Sequence, residues 1–252
     1  MKFFYVFWAL FLTVLRSGFC QDTDFTDSLK TILKRDPENL AVINDLAYEY
    51  TYTDLDSART LLLYALDVNE GDSLQMGISI ETLAIVDEIQ GNIRAAISHH
   101  FESIEIFELI DSPKHLAWAY NGMGALHYQQ YDYEQALAYF LRSKRIREEL
   151  NDPVEVAKSM VNIALIFNKT EQFDSSLLYL KLSLRPFVGN EDLLMESIVY
   201  LNLGSTYSYM GELDSAGLYF NKAEEIQKQI GDTEGLGVLY RKLGELYSEK
   251  KQ

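Results

Sequence analysis

The side chains that could carry chemistry are few, and their spacing does not form a catalytic or metal-binding motif. The histidines are His99, His100, His115 and His127. No two of them are four residues apart, the spacing that places two metal ligands on one face of a helix. Cys20 is the only cysteine, and the sequence contains no glycine-rich phosphate loop and no Gly-x-Ser-x-Gly nucleophile motif. We therefore predict a protein that is not an enzyme and that uses neither a metal ion nor another cofactor.

A small residue recurs every 40 residues, each time directly after a large apolar residue. The pairs are Met123-Gly124, Ile163-Ala164, Leu203-Gly204 and Leu243-Gly244. A second small residue and then a large one follow at constant distances in successive units, at Ala96 and His100, Ala136 and Phe140, Ser176 and Leu180, and Ala216 and Phe220. Small residues let two helices approach closely, while the large ones fill the space between them. A fixed period of this length indicates an array of one supersecondary unit.

The boundaries between the helices are marked by residues that stop or start a helix. Gly91 and Gly211 are predicted breakers between the two halves of a unit. Asp132 is placed to cap the helix that follows it. Pro113 and Pro153 suit the first turn of a helix, where a missing N–H costs nothing. The unit is therefore predicted to be a pair of helices joined by a short turn.

This order of large and small residues resembles the tetratricopeptide repeat, with a unit of 40 residues here instead of the usual ~34. The resemblance implies an all-α fold, a right-handed superhelical array of helix–turn–helix repeats, or α-solenoid. The chain resembles the periplasmic repeat regions of bacterial signalling and binding proteins. We expect five helix pairs, at residues 39–72, 73–112, 113–152, 153–192 and 193–232. A terminal helix at 233–250 follows them, and an N-terminal helix at 24–35 covers the first pair. The predicted domains are 1–20, a signal peptide; 21–38, the covering segment; and 39–252, the array.

The first 20 residues have the composition of an export signal. Lys2 precedes an apolar run from Phe3 to Leu15, and a small residue at Cys20 stands before the polar Gln21. The run is shorter than the roughly 20 residues that a membrane-spanning helix needs. We therefore expect cleavage before Gln21 and a periplasmic location without a membrane span in the mature chain. The alternative is a lipoprotein acylated at Cys20.

The charge of the chain bears on its partners. The formal net charge is −16, and loss of Lys2 and Arg16 with the signal would leave −18. An acidic surface argues against nucleic acid, which requires a basic patch, and against anionic lipid. We expect a protein or peptide ligand, no nucleic acid, and a monomer or weak homo-oligomer.

In the tetratricopeptide family the first helix of each pair lines a concave groove, and the resemblance assigns ten residues of this chain to a peptide-binding groove. They are Trp118, Asn121, Tyr128, Lys158, Asn162, Lys169, Asn202, Tyr209, Arg241 and Lys242. Asn162 and Asn202 are equivalent residues one unit apart, and an amide can both donate to and accept from a peptide backbone. The aromatic residues would supply stacking contacts, and the basic ones favour an acidic ligand end. Alternatively, the asparagines and lysines only solvate the groove.

Two further expectations concern the core and the class of function. His100 and His127 occupy positions that the repeat gives to Phe and Tyr, so we expect core aromatic rings with one ring nitrogen satisfied. The leading functional hypothesis is an exported, non-catalytic protein-binding scaffold. The alternatives are the sensory input region of a bacterial transmembrane regulator, truncated after residue 252, and an enzyme or assembly lipoprotein.

Overall fold

The computed structural model describes residues 23–188 and 192–249, and within them every regular element is an α-helix. The described residues fall into two compact units that meet within one helix, the first ending at Ile146 and the second beginning at Arg147. The helices of the first unit are α1 (Thr23–Leu33), α2 (Leu40–Tyr50), α3 (Leu55–Asp67), α4 (Ser73–Gln90), α5 (Ile93–Leu109), α6 (Pro113–Gln129) and most of α7 (Tyr133–Glu149). Those of the second are α8 (Pro153–Lys169), α9 (Phe173–Ser183), α10 (Leu193–Tyr209), α11 (Leu213–Ile230) and α12 (Thr233–Glu249). The predicted all-α repeat fold is confirmed, while the predicted signal peptide lies outside the described residues.

The helix starts follow the capping residues of the sequence. Helices α6 and α8 begin at Pro113 and Pro153, as predicted. Before α7, a carboxylate oxygen of Asp132 accepts a hydrogen bond of 3.3 Å from the backbone N–H of Gln135, which confirms the predicted cap. These contacts satisfy N–H groups that the first turn of a helix leaves without a partner.

In four of the five helix pairs, all except α2 and α3, the turn between the two helices has one residue in the left-handed backbone region. Gly91 and Gly211 have φ angles of 78° and 77°, which confirms them as breakers. The equivalent residues of the two intervening pairs are Tyr131 and Glu171, with φ angles of 62° and 59°. Side chains other than glycine rarely adopt this region. The repeat therefore imposes the same turn even where the sequence does not supply a glycine.

The recurring small residues mark contacts between the two helices of a pair. A Cβ atom built on Gly204 of α10 would lie 2.5 Å from Cδ1 of Phe220 on α11. On Gly124 of α6, the same atom would lie 2.7 Å from Cδ1 of Phe140 on α7. In α12, however, a Cβ atom on Gly244 would have nothing within 4 Å. The small residue is thus sterically required where a partner helix packs against it and dispensable in α12.

Each unit has its own apolar core around these contacts. In the second unit, Leu180, Phe187 and Phe220 are among the fully buried side chains. In the first unit, Phe107 and Met123 pack together between α5 and α6. Burying such side chains is the main favourable contribution to folding, about 1.5–3 kcal/mol for each. None of the helices in residues 23–188 and 192–249 combines the length and the apolar character that crossing a bilayer requires.

Candidate binding surface

The first helices of successive pairs contact one another within each unit and form an inner row. In the second unit, α10 contacts both α8 and α12. Seven of the ten predicted groove residues lie on this row: Lys158, Asn162 and Lys169 on α8, Asn202 and Tyr209 on α10, and Arg241 and Lys242 on α12. In the first unit, α4 contacts both α2 and α6, and the other three predicted residues lie on α6.

The two equivalent asparagines of the second unit are buried. Asn162 exposes 2% of its surface and Asn202 exposes 7%. The Nδ2 group of Asn202 donates a hydrogen bond of 3.0 Å to the carbonyl oxygen of Ile198 in its own helix. The Nδ2 group of Asn202 is therefore engaged within its own helix.

An aromatic ring and several cations come together where α8, α10 and α12 meet. Tyr209, the last residue of α10, is 55% exposed. The Nζ atom of Lys242 lies 5.9 Å from the centre of its ring. The pKa of Lys242 is lowered to about 8, mainly by burial; Glu245 acts in the opposite direction, while the charges of Arg241 and Lys169 contribute to the lowering. The structure thus brings together four of the residues predicted from the sequence.

Lys158, the fourth basic residue predicted for the groove, belongs to a different group. Its Nζ atom lies 2.8 Å from Oε1 of Glu155, whose other carboxylate oxygen lies 3.0 Å from Nη2 of Arg147. Burial lowers the pKa of Arg147, and Nη1 of this residue donates a hydrogen bond of 2.8 Å to Ser159. Lys158 is therefore part of an ion-pair network at the start of α8.

The predicted residues of the first unit differ in their surroundings. Trp118 packs edge-on against Tyr48 of α2, with ring centres 6.2 Å apart, and Tyr48 packs in turn against Tyr52. Asn121 and Tyr128 are buried, and the ring of Tyr128 lies 5.6 Å from that of Tyr133. Trp118 is only partly buried. It is thus the member of this set that contributes to the surface of the first unit.

The first unit also contains a buried charged cluster that the sequence analysis missed. His100 is fully buried, with Nδ1 3.0 Å from Oε2 of Glu81 and Nε2 2.6 Å from Oε1 of Glu88. The hydroxyl of Ser103 donates a hydrogen bond of 2.6 Å to the same Glu81 oxygen. The prediction that His100 has one satisfied ring nitrogen is wrong, because α4 presents a carboxylate to each side of the ring. For His127 one ring nitrogen is satisfied as predicted, with Nδ1 3.2 Å from Oδ2 of Asp132 and the ring stacked on Tyr139, but the side chain is partly exposed and not in the core.

The pKa values in this cluster follow from burial and charge. Burial by itself would lower the pKa of His100, but the carboxylates of Glu81 and Glu88 outweigh it and raise the value to about 10. Burial raises the pKa of Glu88, and His100 only partly offsets that effect. The imidazole ring therefore carries a proton at neutral pH. The repeat spacing could have revealed the cluster. Glu81 and Glu88 lie one 40-residue period before the predicted groove residues Asn121 and Tyr128, so the same positions of the preceding helix pair hold two acidic residues.

A second ionic group adjoins the first. The carboxylate of Asp87 lies 2.5 Å from Nη2 of Arg59 and 2.9 Å from Nδ1 of His99. These contacts join Arg59 of α3 and His99 of α5 to Asp87 of α4, and they stabilise the packing of the three helices. Within the described residues, no three His, Cys, Asp or Glu side chains are grouped so that they could hold a metal ion.

Known proteins are similar to this chain in sequence and in fold. It is 26% identical over 229 residues to the transcriptional activator NprA of Geobacillus stearothermophilus. That alignment covers 89% of this chain and 56% of NprA, so the chain spans about half the length of this relative. BtubC (BKLC) of P. vanneervenii superposes with a TM-score of 0.67 at 17% identity, over 88% of this chain and 92% of BtubC. The aspartyl phosphate phosphatase F of Bacillus subtilis superposes with a TM-score of 0.69 at 17% identity, over 85% of this chain and 58% of the phosphatase.

The family is shown by sequence profiles of the repeat itself. One tetratricopeptide repeat profile matches residues 75–149 and 115–187, and a second matches residues 198–230. Together these matches cover more than half of the chain, and the structure has helix pairs in the matched regions. The chain therefore belongs to the tetratricopeptide repeat family of helix–turn–helix proteins.

Proposed function

We propose that this tetratricopeptide repeat protein is an exported, non-catalytic scaffold that holds a protein or peptide on the inner face of α8, α10 and α12. The observation that carries the proposal is the exposure of Tyr209, a large aromatic side chain on an inner helix. Exposed aromatic side chains are frequent anchors in protein interfaces, because they bury much apolar area and lose little conformational entropy. An acidic chain with a local group of cations also suits a protein ligand better than a nucleic acid.

The asparagines supply the second element of the proposal. Asn162 and Asn202 lie one repeat apart on neighbouring helices, so their amides recur along the inner face of this unit. A recurring amide matches the recurring donors and acceptors of an extended peptide backbone. Both side chains are buried, so a hydrogen bond between either of them and a ligand would be shielded from water.

The state of the titratable groups supports a non-catalytic role. The buried carboxylates of the first unit contact cationic side chains, and Arg147 of the second unit contacts Glu155. A general acid or base must instead reach a substrate proton. The aspartyl phosphate phosphatase F has this fold but is only 17% identical to the chain. A similarity at that level indicates a common fold and does not indicate a common activity.

A binding experiment with matched variants tests the proposal. The mature chain, residues 21–252, would capture its ligand from cell envelopes, and the captured ligand would be titrated against Asn162→Ala, Asn202→Ala. Loss of two neutral hydrogen bonds should weaken binding about five- to a hundredfold without loss of helicity. The control is Leu218→Ala on α11, an exposed apolar residue on a second helix, which should leave affinity unchanged. Unchanged affinity of the double variant, with reduced affinity of the control, would assign binding to the second helices.

The similarity to NprA favours a second candidate function. A relative named a transcriptional activator, aligned over most of this chain, suggests that this array is the sensory input region of a regulator. In that case, a conformational change caused by ligand binding to the array would be transmitted to an output domain. An in-frame apolar segment and a further domain in the downstream DNA would support this candidate, and an adjacent operon of envelope proteins would favour the scaffold.

A further inference from the structure

One face of α12 exposes the residues that the repeat buries in the preceding first helices. The two small residues of the repeat are buried in α4, α6, α8 and α10, but their equivalents in α12, Gly237 and Gly244, are both exposed. A Cβ atom built on either glycine would meet nothing within 4 Å among the described residues. On the same face, Tyr240 is 48% exposed and Tyr247 is 57% exposed. This face of α12 is therefore open where the preceding first helices are covered.

The preceding pair shows what such a face receives. In α10 and α11, the ring of Phe220 lies against Gly204. The ring centre of Tyr219 lies 6.1 Å from that of Tyr200 and 5.5 Å from that of Tyr207. The residues of α12 that follow Tyr200, Gly204 and Tyr207 by 40 positions are Tyr240, Gly244 and Tyr247. Helix α12 thus repeats a face that, in α10, receives aromatic rings of an adjoining helix.

The open face is a stripe without charge, which we call the α12 stripe. Its residues are Thr233, Gly237, Tyr240, Gly244 and Tyr247, and all are exposed. They are spaced alternately four and three apart, the spacing of the a and d positions in a coiled-coil seam. A helix that only ends a repeat array needs a polar outer face. An uncharged stripe with two exposed tyrosines instead indicates contact with another helix.

We propose that two copies of this chain associate through the α12 stripe, with their α12 helices antiparallel about a two-fold axis near residue 242. Residues 240 and 244 are equally far from residue 242, so the ring of Tyr240 in each copy lies over Gly244 of the other. Residues 237 and 247 are also equally far from it, so Tyr247 lies over Gly237 of the other copy. The symmetry makes each contact occur twice.

A second copy fits this face because the stripe is complementary to itself. An aromatic ring over a glycine is the contact that Phe220 already makes with Gly204. A parallel pair would instead place glycine opposite glycine and tyrosine opposite tyrosine, which leaves gaps beside crowded rings. The hydroxyl of Tyr240 donates a hydrogen bond of 2.8 Å to Glu224 of α11, which restrains this side chain before association. The inference goes beyond the proposed ligand surface and does not depend on it.

Sedimentation equilibrium of the mature chain tests the association. One pair of helices is a small interface, so we expect a monomer–dimer equilibrium between about 1 μM and about 1 mM. Tyr247→Ser should weaken the dimer about tenfold or more, because an aromatic side chain is lost from both copies. Tyr64→Ser is the matched control, since it removes a tyrosine that is 40% exposed on α3, and it should change nothing. A chain that stays monomeric over this range, or equal effects of the two variants, would overturn the inference.

Gly244→Leu separates a fitted contact from unspecific adhesion. One chain alone has room for the leucine, because a Cβ atom at this position meets nothing within 4 Å. The new side chain makes the face more apolar, so unspecific adhesion would become tighter. In the proposed pair it would collide with Tyr240 of the other copy, and association should become about tenfold weaker with helicity unchanged. Tighter association of this variant would contradict the proposed packing.

Single cysteines test the antiparallel orientation, because Cys20 is the one cysteine of the sequence and precedes the mature chain. Arg241→Cys lies one residue from the axis, so its two copies are close together. Ser248→Cys lies six residues from the axis on the same exposed edge, so its copies are about 18 Å apart along the helices. A bismaleimide that spans about 8–10 Å, the distance between packed helix axes, should link the first variant as a dimer and leave the second unlinked. Equal linking of both, or linking of Ser248→Cys alone, would refute the antiparallel pair.

Discussion

Replacement of His100 by phenylalanine tests the buried charged cluster of the first unit. Phenylalanine is the residue that the next repeat holds at this position, at Phe140. The change would leave the carboxylates of Glu81 and Glu88 buried without the cation between them. Removing one partner of a buried ion pair is strongly destabilising, because the remaining charge has lost both water and its counter-ion.

The magnitude follows from two independent arguments. A pKa of His100 raised from 6.5 to about 10 corresponds to at most ~5 kcal/mol of preference for the charged ring. The burial of Glu88 acts against part of this gain, since it raises the pKa of that carboxyl. Breaking a buried pair typically costs about 3–5 kcal/mol. We therefore expect His100→Phe to lower the free energy of unfolding by about 3–5 kcal/mol at neutral pH.

The pH dependence has a definite sign. A group whose pKa is higher in the folded protein stabilises it fully below the unfolded pKa, and this stabilisation disappears as pH rises through the folded pKa. For His100, the stabilisation is complete below about pH 6.5 and is lost towards about pH 10. The difference between wild type and His100→Phe should therefore be large at pH 7 and shrink as pH approaches 10.

The assay is urea unfolding followed by circular dichroism, with a rescue variant as control. Replacing the whole cluster, by Glu81→Leu, Glu88→Leu and His100→Phe, removes the buried charges together. Its stability should return to within about 2 kcal/mol of wild type, because apolar residues can replace a buried ionic group at little cost. A loss below ~1 kcal/mol for His100→Phe, or a triple variant as unstable as the single one, would refute the role assigned to the cluster.

Two further predictions concern packing and export. Gly204→Ala should destabilise the protein by about 1–3 kcal/mol, because its new methyl group would overlap the ring of Phe220. Gly244→Ala, which meets no atom within 4 Å, should stabilise α12 by about 0.5–1 kcal/mol, and the two urea midpoints should move in opposite directions. Mass spectrometry of the exported protein should find Gln21 as its first residue; an acylated Cys20 would indicate a lipoprotein, and an intact Met1 in the cytoplasm would contradict export.

Much of the fold could be read from the sequence because helix formation and helix pairing leave local, periodic marks. The small residue at Gly204 and the large one at Phe220 predict a close helix contact, and a Cβ atom at Gly204 would indeed meet that ring. Pro113 and Asp132 mark helix starts that the structure reproduces. Such marks depend on neighbours within one repeat, so one chain suffices to recognise them.

The candidate site was only partly predictable. The 40-residue period of the sequence identifies which face of a helix a residue occupies, but it does not identify which side chains that residue contacts. Lys158 and Lys169 both carry positive charge on α8, but Lys158 pairs with Glu155 while Lys169 acts on Lys242. The sequence places these residues on one inner row. Their separation into two groups depends on how the side chains extend and on which helices adjoin them.

The sequence by itself determined the repeat, the helices and their pairing, because these depend on steric size and capping at fixed local spacing. The tertiary structure decided the ionisation of the buried groups. His100 occupies a position that phenylalanine fills elsewhere, and its charge depends on Glu81 and Glu88, which lie 19 and 12 residues away in the preceding helix. Only packing of α5 against α4 excludes water and sets both carboxylates beside one ring, and electrostatic interactions become strong when water is excluded.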